Sequence, residues 1–267
     1  MSRLFDLMHK SEAPAACEEA HDVPAECAEI TPEARLVFHS DPVGPAADRY
    51  RFLRMRLREL APSAKLKKLL VTSPLPHDGK STVCLNLATA LAEGGKKNVL
   101  LMEADLHQPV LNAKLRLDKW PGLTECLEGK IEPQSAIRRI DPLSWYLLPA
   151  GGSRENASEL LQTAALTTVM NKLAQQFDWI IVDSPPALPL SDATSLTRHV
   201  DATLLVVRAE QTVREAVDEA VAIIGRQRLV AVILNGVNSF DRSYSKYYKS
   251  YARYYSHITP QTADRNS

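Results

Sequence analysis

We predict an α/β fold for this chain, with a mostly parallel sheet that helices cover on both faces. Short apolar segments of strand length alternate with segments of helical periodicity, a pattern typical of strand–helix–strand units. The strand segments are apolar throughout rather than at alternate positions, as expected of strands that are buried on both faces. Their predicted positions are 69–72, 98–105, 145–149, 179–183, 202–207 and 229–234.

The chain has 267 residues, which suits one large domain with a tail. Residues 1–45 carry nine acidic and three basic side chains and five prolines, without sustained periodicity. Such a segment buries too little apolar surface to offset the entropy that it loses on ordering. We therefore expect a disordered acidic arm at 1–45, one domain at 46–240 and a flexible tail at 241–267.

Charge, hydropathy and cysteine content narrow the classes of function. Lys+Arg and Asp+Glu are both 32, so the net charge favours no class of partner. The first residues do not have the pattern of a signal peptide, and no segment reaches the roughly 18 apolar residues of a membrane span. The four cysteines lack the spacing of metal ligands, and reduced thiols in a cytosolic protein fit them best.

Residues 46–60 have the periodicity of an amphipathic helix. One face is apolar and consists of Tyr50, Leu53, Leu57 and Leu60. Another face carries Arg51, Arg54 and Arg58, and Asp48 lies one turn before Arg51. The spacing alone leaves two interpretations open: a solvated basic face, or an interface helix that docks on an acidic neighbour.

The segment Ser73–Thr82, Ser-Pro-Leu-Pro-His-Asp-Gly-Lys-Ser-Thr, lies between a predicted strand and a helix predicted over 83–93. This is the context that a phosphate-binding loop requires, because free N–H groups at a helix start attract phosphate oxygens. The alternative is a chance match, since Pro74 stands where the strict pattern begins with Gly. We assign nucleotide binding to Asp78, Gly79, Lys80, Ser81 and Thr82. Lys80 would reach the β- and γ-phosphates, and Ser81 would bind Mg²⁺.

Carboxylates mark the ends of two predicted strands. Glu103 and Asp105 are two residues apart, so on a strand they would share a face and point into one crevice. Facing carboxylates are costly unless a cation or a general-base role accounts for them; the alternative is a solvated strand end. His107 continues the same alternation. Asp183 ends the apolar segment 179–183 and is predicted to hold Mg²⁺ through water.

The tail concentrates six of the eight tyrosines within twelve positions. These tyrosines are Tyr244, Tyr247, Tyr248, Tyr251, Tyr254 and Tyr255. Lys and Arg side chains lie between them, a pattern that also suits stacking on nucleic acid. The neutral charge of the rest of the chain argues against that partner, so we expect no nucleic-acid binding. A cluster of phenols beside a nucleotide site indicates phosphate acceptors.

Together these residues resemble the bacterial tyrosine kinases of capsule and exopolysaccharide synthesis, which are deviant phosphate-loop (P-loop) ATPases. The resemblance covers about Ala46–Tyr255. Ser73–Thr82 is similar to the first nucleotide motif of the family, and Ile180–Pro186 is similar to the third. The second motif is normally Asp-x-Asp-x-Arg; here its three positions are Glu103, Asp105 and His107.

The resemblance implies a P-loop NTPase type of fold and an ATP- and Mg²⁺-dependent kinase that phosphorylates the tail tyrosines of neighbouring copies. Ser81, Asp105 and Asp183 would hold Mg²⁺, and Glu103 or Asp105 would accept the phenol proton. The helix that carries Asp48, Arg51 and Arg54 resembles the one by which family members form rings. A separate membrane protein, a polysaccharide co-polymerase, would activate the kinase through its cytoplasmic tail at the inner face of the plasma membrane.

Two other functions stay open at this point. One is an ATP-binding regulator of a co-polymerase with weakened catalysis, which the unusual Glu103 and His107 would suit. The other is a surface-partitioning ATPase of the cell-division or plasmid-partition type. Those ATPases carry a Lys at the position of Leu75, so the leucine and the tyrosine-rich tail both favour a kinase.

Overall fold

The computed structural model describes residues 23–64, 66–188 and 191–237. The tyrosine-rich tail predicted at 241–267 lies outside these residues, and so does the first part of the predicted acidic arm, 1–22.

The sheet has eight strands in the order β1-β4-β5-β3-β6-β2-β7-β8 within the described part of the chain. The strands are β1 (Ala25–Cys27), β2 (Lys68–Thr72), β3 (Val99–Glu103), β4 (Arg138–Asp141), β5 (Trp145–Leu148), β6 (Trp179–Asp183), β7 (Ala202–Arg208) and β8 (Leu229–Asn235). Among these strands only the β4–β5 pair is antiparallel. The predicted mostly parallel sheet is confirmed.

The longer helices follow the strands in the order expected of an α/β fold. The helices are α1 (Val37–Ser40), α2 (Pro45–Ala64), α3 (Lys80–Ala92), α4 (Leu111–Lys114), α5 (Leu123–Leu127), α6 (Pro133–Ala136), α7 (Ala157–Leu160), α8 (Ala164–Ala174), α9 (Asp192–Leu196) and α10 (Arg214–Ile224). Across residues 23–64, 66–188 and 191–237, no helix is long and apolar enough to cross a bilayer.

Helices cover both faces of the sheet, because successive side chains of each central strand point to opposite faces. On one face, Leu69 of β2 packs with Leu57 of α2 and with the apolar side of α3. On the other face, Leu70 packs with side chains of α5 and α8. The strands that lead to the predicted site are therefore held rigidly from both sides.

Residues 23–45 have a defined structure, which corrects the prediction of a disordered arm for this stretch. β1 pairs with β4 in parallel, and Ala34 and Leu36 are buried. Asn86 of α3, which is itself completely buried, fixes the segment: its Nδ2 donates to the Arg35 carbonyl at 2.9 Å and its Oδ1 accepts the Val37 N–H at 2.8 Å. The composition of the segment did not predict these contacts. A few apolar residues and backbone hydrogen bonds are enough to order a segment that can pair with the edge of a sheet.

α2 packs on α3 with most of its predicted apolar face, although Leu60 is 38% exposed. The arginines are engaged within the chain. Arg54 donates to the Ala90 carbonyl at 3.2 Å, and Arg58 lies 2.7 Å from Glu93, both at the end of α3. Arg51 pairs with Asp48 at 2.7 Å. The acidic neighbour of the basic face is thus, in part, the chain's own Glu93.

Candidate active site

The loop between β2 and α3 is held in a conformation that requires glycine at position 79. Gly79 has a φ of 96°, and a Cβ there would lie 2.1 Å from Asn235 Nδ2. Asn235 occupies that place because its amide donates to the Asp78 carbonyl at 2.8 Å. The end of β8 therefore braces the start of α3, where the free N–H groups lie.

Asp78 shapes the same loop. Its side chain is buried; its carboxylate accepts the Leu75 N–H at 3.1 Å and the Thr212 hydroxyl at 2.7 Å. The carboxylate does not line the cleft, so any contact of Asp78 with a phosphate is left to its backbone.

A cleft of about 460 Å³ lies beside this loop. Of the predicted site residues, Gly79, Lys80, Ser81, Thr82 and Asp105 line it. Lys80 Nζ lies 3.2 Å from Asp105 Oδ2, and both side chains are largely buried. The fold thus brings the first and second motifs together, as their places at the ends of β2 and β3 predicted.

Asp183 lies completely buried at the end of β6, next to Val71 of β2. Its two carboxylate oxygens have no hydrogen-bond partner among the described residues. Burial raises the pKa of Asp183 to about 6, and the charge of Lys80 opposes that rise. Ser81 and Cys84 also favour the ionised form of Asp183, yet neither side chain donates a well-formed hydrogen bond to its carboxylate.

A buried carboxylate without a donor is rare and costly. A cation, or a water bound to one, would supply the missing partner. The oxygen donors of Asp183, Ser81 and Asp105 are of the kind that Mg²⁺ prefers, so the residues fit the predicted ion.

Glu103 does not face the cleft. Its Oε1 accepts the N–H groups of Val110 at 2.6 Å and Leu111 at 2.7 Å, and its Oε2 accepts that of Ala150 at 3.3 Å. Burial raises the pKa of Glu103 to about 7. The prediction that Glu103 and Asp105 point into one crevice was wrong for Glu103. It assumed that the strand continues to Asp105, so that residues two apart share a face. β3 ends at Glu103, so this alternation does not relate the two side chains.

His107 lines the cleft, as its place in the second motif suggested. Its Nε2 lies 2.9 Å from Asp192 Oδ2 and 3.1 Å from Ser158 Oγ. Asp192 is completely buried at the start of α9. The histidine that stands where the resembled motif has arginine is therefore held by groups from two other segments.

Several residues of the cleft could not be found from the sequence. They are Glu33, Arg35, Lys114 and Arg208. Each is a single residue in a loop, a strand end or a short helix, and only the folded chain brings them together. In a sequence with 32 Lys and Arg residues, one isolated basic side chain carries no signal.

A family profile described as "AAA domain" matches residues 78–229, more than half of the chain. The chain belongs to the AAA domain family. Curated relatives of this AAA domain are named as tyrosine-protein kinases of bacteria, so the predicted resemblance to bacterial tyrosine kinases is confirmed.

Tyrosine-protein kinase YwqD of Bacillus subtilis is 28% identical over 218 residues, which cover 81% of this chain and 92% of that protein. Tyrosine-protein kinase ptk of Acinetobacter johnsonii is 30% identical over 204 residues, 76% of this chain. The match covers only 27% of that longer relative. Among solved structures, the kinase domain of the Escherichia coli tyrosine kinase ETK matches with a TM-score of 0.73 and 27% identity, over 78% of this chain and 82% of that domain.

Proposed function

We propose that this chain is an ATP- and Mg²⁺-dependent protein-tyrosine kinase that phosphorylates the tail tyrosines of neighbouring copies. The observation that carries the proposal is that Lys80, Ser81 and Asp105 line one cleft, and that Lys80 also acts on the buried Asp183, whose oxygens have no partner among the described residues. The names of the relatives support tyrosine as the acceptor. The six tail tyrosines supply acceptors on the chain itself.

The nucleotide would bind through its phosphates. The N–H groups at the start of α3 and the Lys80 ammonium would hold the β- and γ-phosphates. Bound Mg²⁺ would neutralise charge that develops on the transferred phosphoryl group. Ser81, Asp105 and Asp183 are the side chains that would hold it, Asp183 through water.

Of the two predicted bases, Asp105 is the one that reaches the cleft. A tyrosine has a pKa near 10, so its hydroxyl needs a base within hydrogen-bond reach. The phenol oxygen forms a bond to the γ-phosphorus, and the bond from that phosphorus to the oxygen of the leaving ADP breaks. The phenol proton passes to Asp105. Glu103 supports this step indirectly, because it fixes the backbone that follows Asp105.

We further propose that copies form a ring through α2, where Asp48, Arg51 and Arg54 lie. Phe52 and Met55 support an interface there, since they are 61% and 45% exposed on the same helix. A membrane polysaccharide co-polymerase would activate the ring through its cytoplasmic tail, at the inner face of the plasma membrane. The cycle of phosphorylation would then regulate the chain length of the capsule or exopolysaccharide.

The first test is detection of phosphotyrosine on the purified chain with ATP and Mg²⁺, with and without the co-polymerase tail. Lys80→Met removes the charge that faces the developing oxyanions, so we expect at least about a hundredfold loss of phosphorylation with the fold intact. A variant with all six tail tyrosines changed to Phe should bind nucleotide but gain no phosphate on its tail. Near-normal phosphorylation in a folded Lys80→Met protein would contradict the assignment of the site.

A further inference from the structure

Two basic side chains of the cleft have no ion-pair partner among the described residues. Arg35 and Lys114 both line the cleft that contains Lys80. Across residues 23–64, 66–188 and 191–237, the Arg35 guanidinium and the Lys114 ammonium make no hydrogen bond or ion pair. Lys80, in contrast, pairs with Asp105, and the nearby Arg116 pairs with Glu29 at 2.7 Å. Unpaired cations that converge on one cleft are suited to an anionic ligand.

Arg35 is held in place by the helix that follows the phosphate-binding loop. Its φ is 52°, in the left-handed region, and its carbonyl accepts a hydrogen bond from Asn86. The same amide group also donates to the Thr82 carbonyl at 2.9 Å. One buried asparagine thus connects the backbone of Arg35 to the first turn of α3, so the position of Arg35 is set relative to the loop.

Lys114 is half-buried at the end of α4, on another wall of the cleft. Burial and the charge of Arg35 lower the pKa of Lys114, and the charge of Asp183 opposes that lowering. Since Arg35 and Lys114 line the same cleft, an anion bound there would reduce the repulsion between them. Glu33 also lines the cleft but is not their counter-ion. Chiefly Thr31, and also Arg116, hold the pKa of Glu33 below its usual value.

We propose that Arg35 and Lys114 form a subsite for the phosphate of a phosphotyrosine on a tail that is already partly phosphorylated. The inference rests on the proposed kinase function. The tail sequence identifies the anion: from Arg242 to Ala263 it contains no carboxylate. For the tyrosines from Tyr247 to Tyr255, which lie more than five residues from either Asp of the tail, a nearby negative charge must therefore come from phosphorylation. A guanidinium matches phosphate geometry, and an ammonium adds a second charge.

The tail contains two adjacent pairs of tyrosines, Tyr247–Tyr248 and Tyr254–Tyr255. When one member of a pair is phosphorylated, its phosphate in the subsite would help the cleft to retain the tail while another tyrosine reacts. Later phosphates are then added faster than the first one, so singly phosphorylated chains stay scarce during the reaction.

The test is a binding measurement that needs no catalysis. The protein is the full-length chain with the six tail tyrosines changed to Phe, with a non-hydrolysable ATP analogue and Mg²⁺. The probes are fluorescent peptides of residues 241–256, unphosphorylated or phosphorylated on Tyr247, and anisotropy gives their dissociation constants. We expect the phosphopeptide to bind at least about tenfold more tightly. This factor corresponds to the lower limit of the free energy that one hydrogen bond to a charged group contributes.

Arg35→Gln and Lys114→Gln should each abolish most of this preference while nucleotide affinity changes by less than about twofold. Arg116→Gln is the matched control, because it removes a neighbouring basic charge outside the cleft and should retain the preference. Equal affinity for the two peptides in the parent chain overturns the subsite. A parallel loss of nucleotide affinity in both variants also overturns it, because the cations would then belong to the nucleotide. A chain without kinase activity would still show the preference, so the two proposals fail separately.

Discussion

Three acidic residues at the ends of β3 and β6 differ in what surrounds each carboxylate. Asp105 pairs with Lys80, Glu103 accepts three backbone N–H groups, and Asp183 has no partner among the described residues. In the proposed reaction, Asp105 would exchange Lys80 for another partner and Asp183 would receive a cation, whereas Glu103 fixes the loop that follows β3. Residue type alone does not distinguish these roles.

The buried charge of Asp183 predicts that the protein without ligands is less stable at neutral pH than it would be with a neutral side chain. The folded-state pKa, about 6, lies above the ordinary value of 3.8 for an aspartate, so the stability that Asp183 contributes is fully present below pH 3.8 and is lost as the pH rises through 6. Asp183→Asn should therefore stabilise the chain at pH 7.5 by up to about 3 kcal/mol.

Urea unfolding in a metal chelator, at pH 4 and pH 7.5, measures this effect. The gain from Asp183→Asn should shrink toward pH 4, and ATP with Mg²⁺ should stabilise the parent chain more than the variant. A variant that is less stable than the parent at pH 7.5 without ligands would mean that Asp183 is not a strained charge.

Glu103 leads to a second prediction at this scale. Shortening it by one methylene in Glu103→Asp would withdraw the carboxylate from Val110, Leu111 and Ala150, leaving buried N–H groups unsatisfied. We expect a loss of about 1–3 kcal/mol in unfolding free energy and a fall, rather than a rise, in tyrosine phosphorylation. Glu103→Gln keeps the length and one acceptor oxygen, so it should be affected less. Higher activity in Glu103→Asp, alone or with His107→Arg, would contradict this account.

Much of the site was visible in the sequence, because its motifs follow strands. Lys80, Ser81 and Asp105 line the cleft as predicted, and Asp183 ends β6 as predicted. Glu103 was misplaced because the exact end of a strand decides which way a side chain points, and periodicity does not give that end. Arg35 was missed because it depends on a tertiary contact with Asn86.

At the scale of elements, apolar content decided which strands could be predicted. β6, Trp-Ile-Ile-Val-Asp, was predicted with its observed bounds, 179–183. β1, Ala-Glu-Cys, and β4, Arg-Arg-Ile-Asp, were not predicted, because they are short and polar. They lie together toward one edge of the sheet, where backbone pairing rather than two-sided burial defines a strand.

α2 leads to a prediction about assembly. Its buried side packs on α3, whereas Phe52 and Met55 are exposed and contribute little to the fold of one copy. Phe52→Ser with Met55→Ser should therefore dissociate a ring that forms through α2 while the unfolding free energy changes by less than about 0.5 kcal/mol. Light scattering and urea unfolding of the same samples separate the two effects.

The control for this pair is Val232→Ser with Leu234→Ser, which removes exposed apolar side chains from β8, an edge strand of the sheet. This control should keep the parent mass. An unchanged mass in the α2 variant would place the interface elsewhere.

For the whole molecule, the charge of the tail predicts that phosphorylation disperses the assembly. Residues 241–267 carry five basic and two acidic side chains, a net charge of +3. Each phosphate adds about −1.5 to −2 charges, so six would bring the tail to roughly −6 to −9. Tails of like charge that are crowded in one assembly should repel each other, more strongly at low salt because screening is weaker there.

Mass measurements at low and high salt test this, with the fully phosphorylated chain compared with the variant whose six tail tyrosines are Phe. The phosphorylated chain should be smaller at low salt, and the difference should decrease at high salt. Identical masses at low salt would show that the tail is not an assembly switch.

The strand that leads into the phosphate-binding loop has both of its sheet neighbours far along the chain. Lys68 of β2 aligns with Ile180 of β6, and Leu69 aligns with Ala202 of β7. During synthesis on a ribosome, the backbone groups along both edges of β2 therefore have no strand to pair with until more than a hundred further residues have been synthesised. If Asp183 helps to bind the nucleotide as proposed, nucleotide binding would not stabilise the chain earlier, because Asp183 is synthesised with β6. The nascent chain should depend on chaperones over this interval, and ligand-induced stabilisation should begin only when nearly the whole domain has been made.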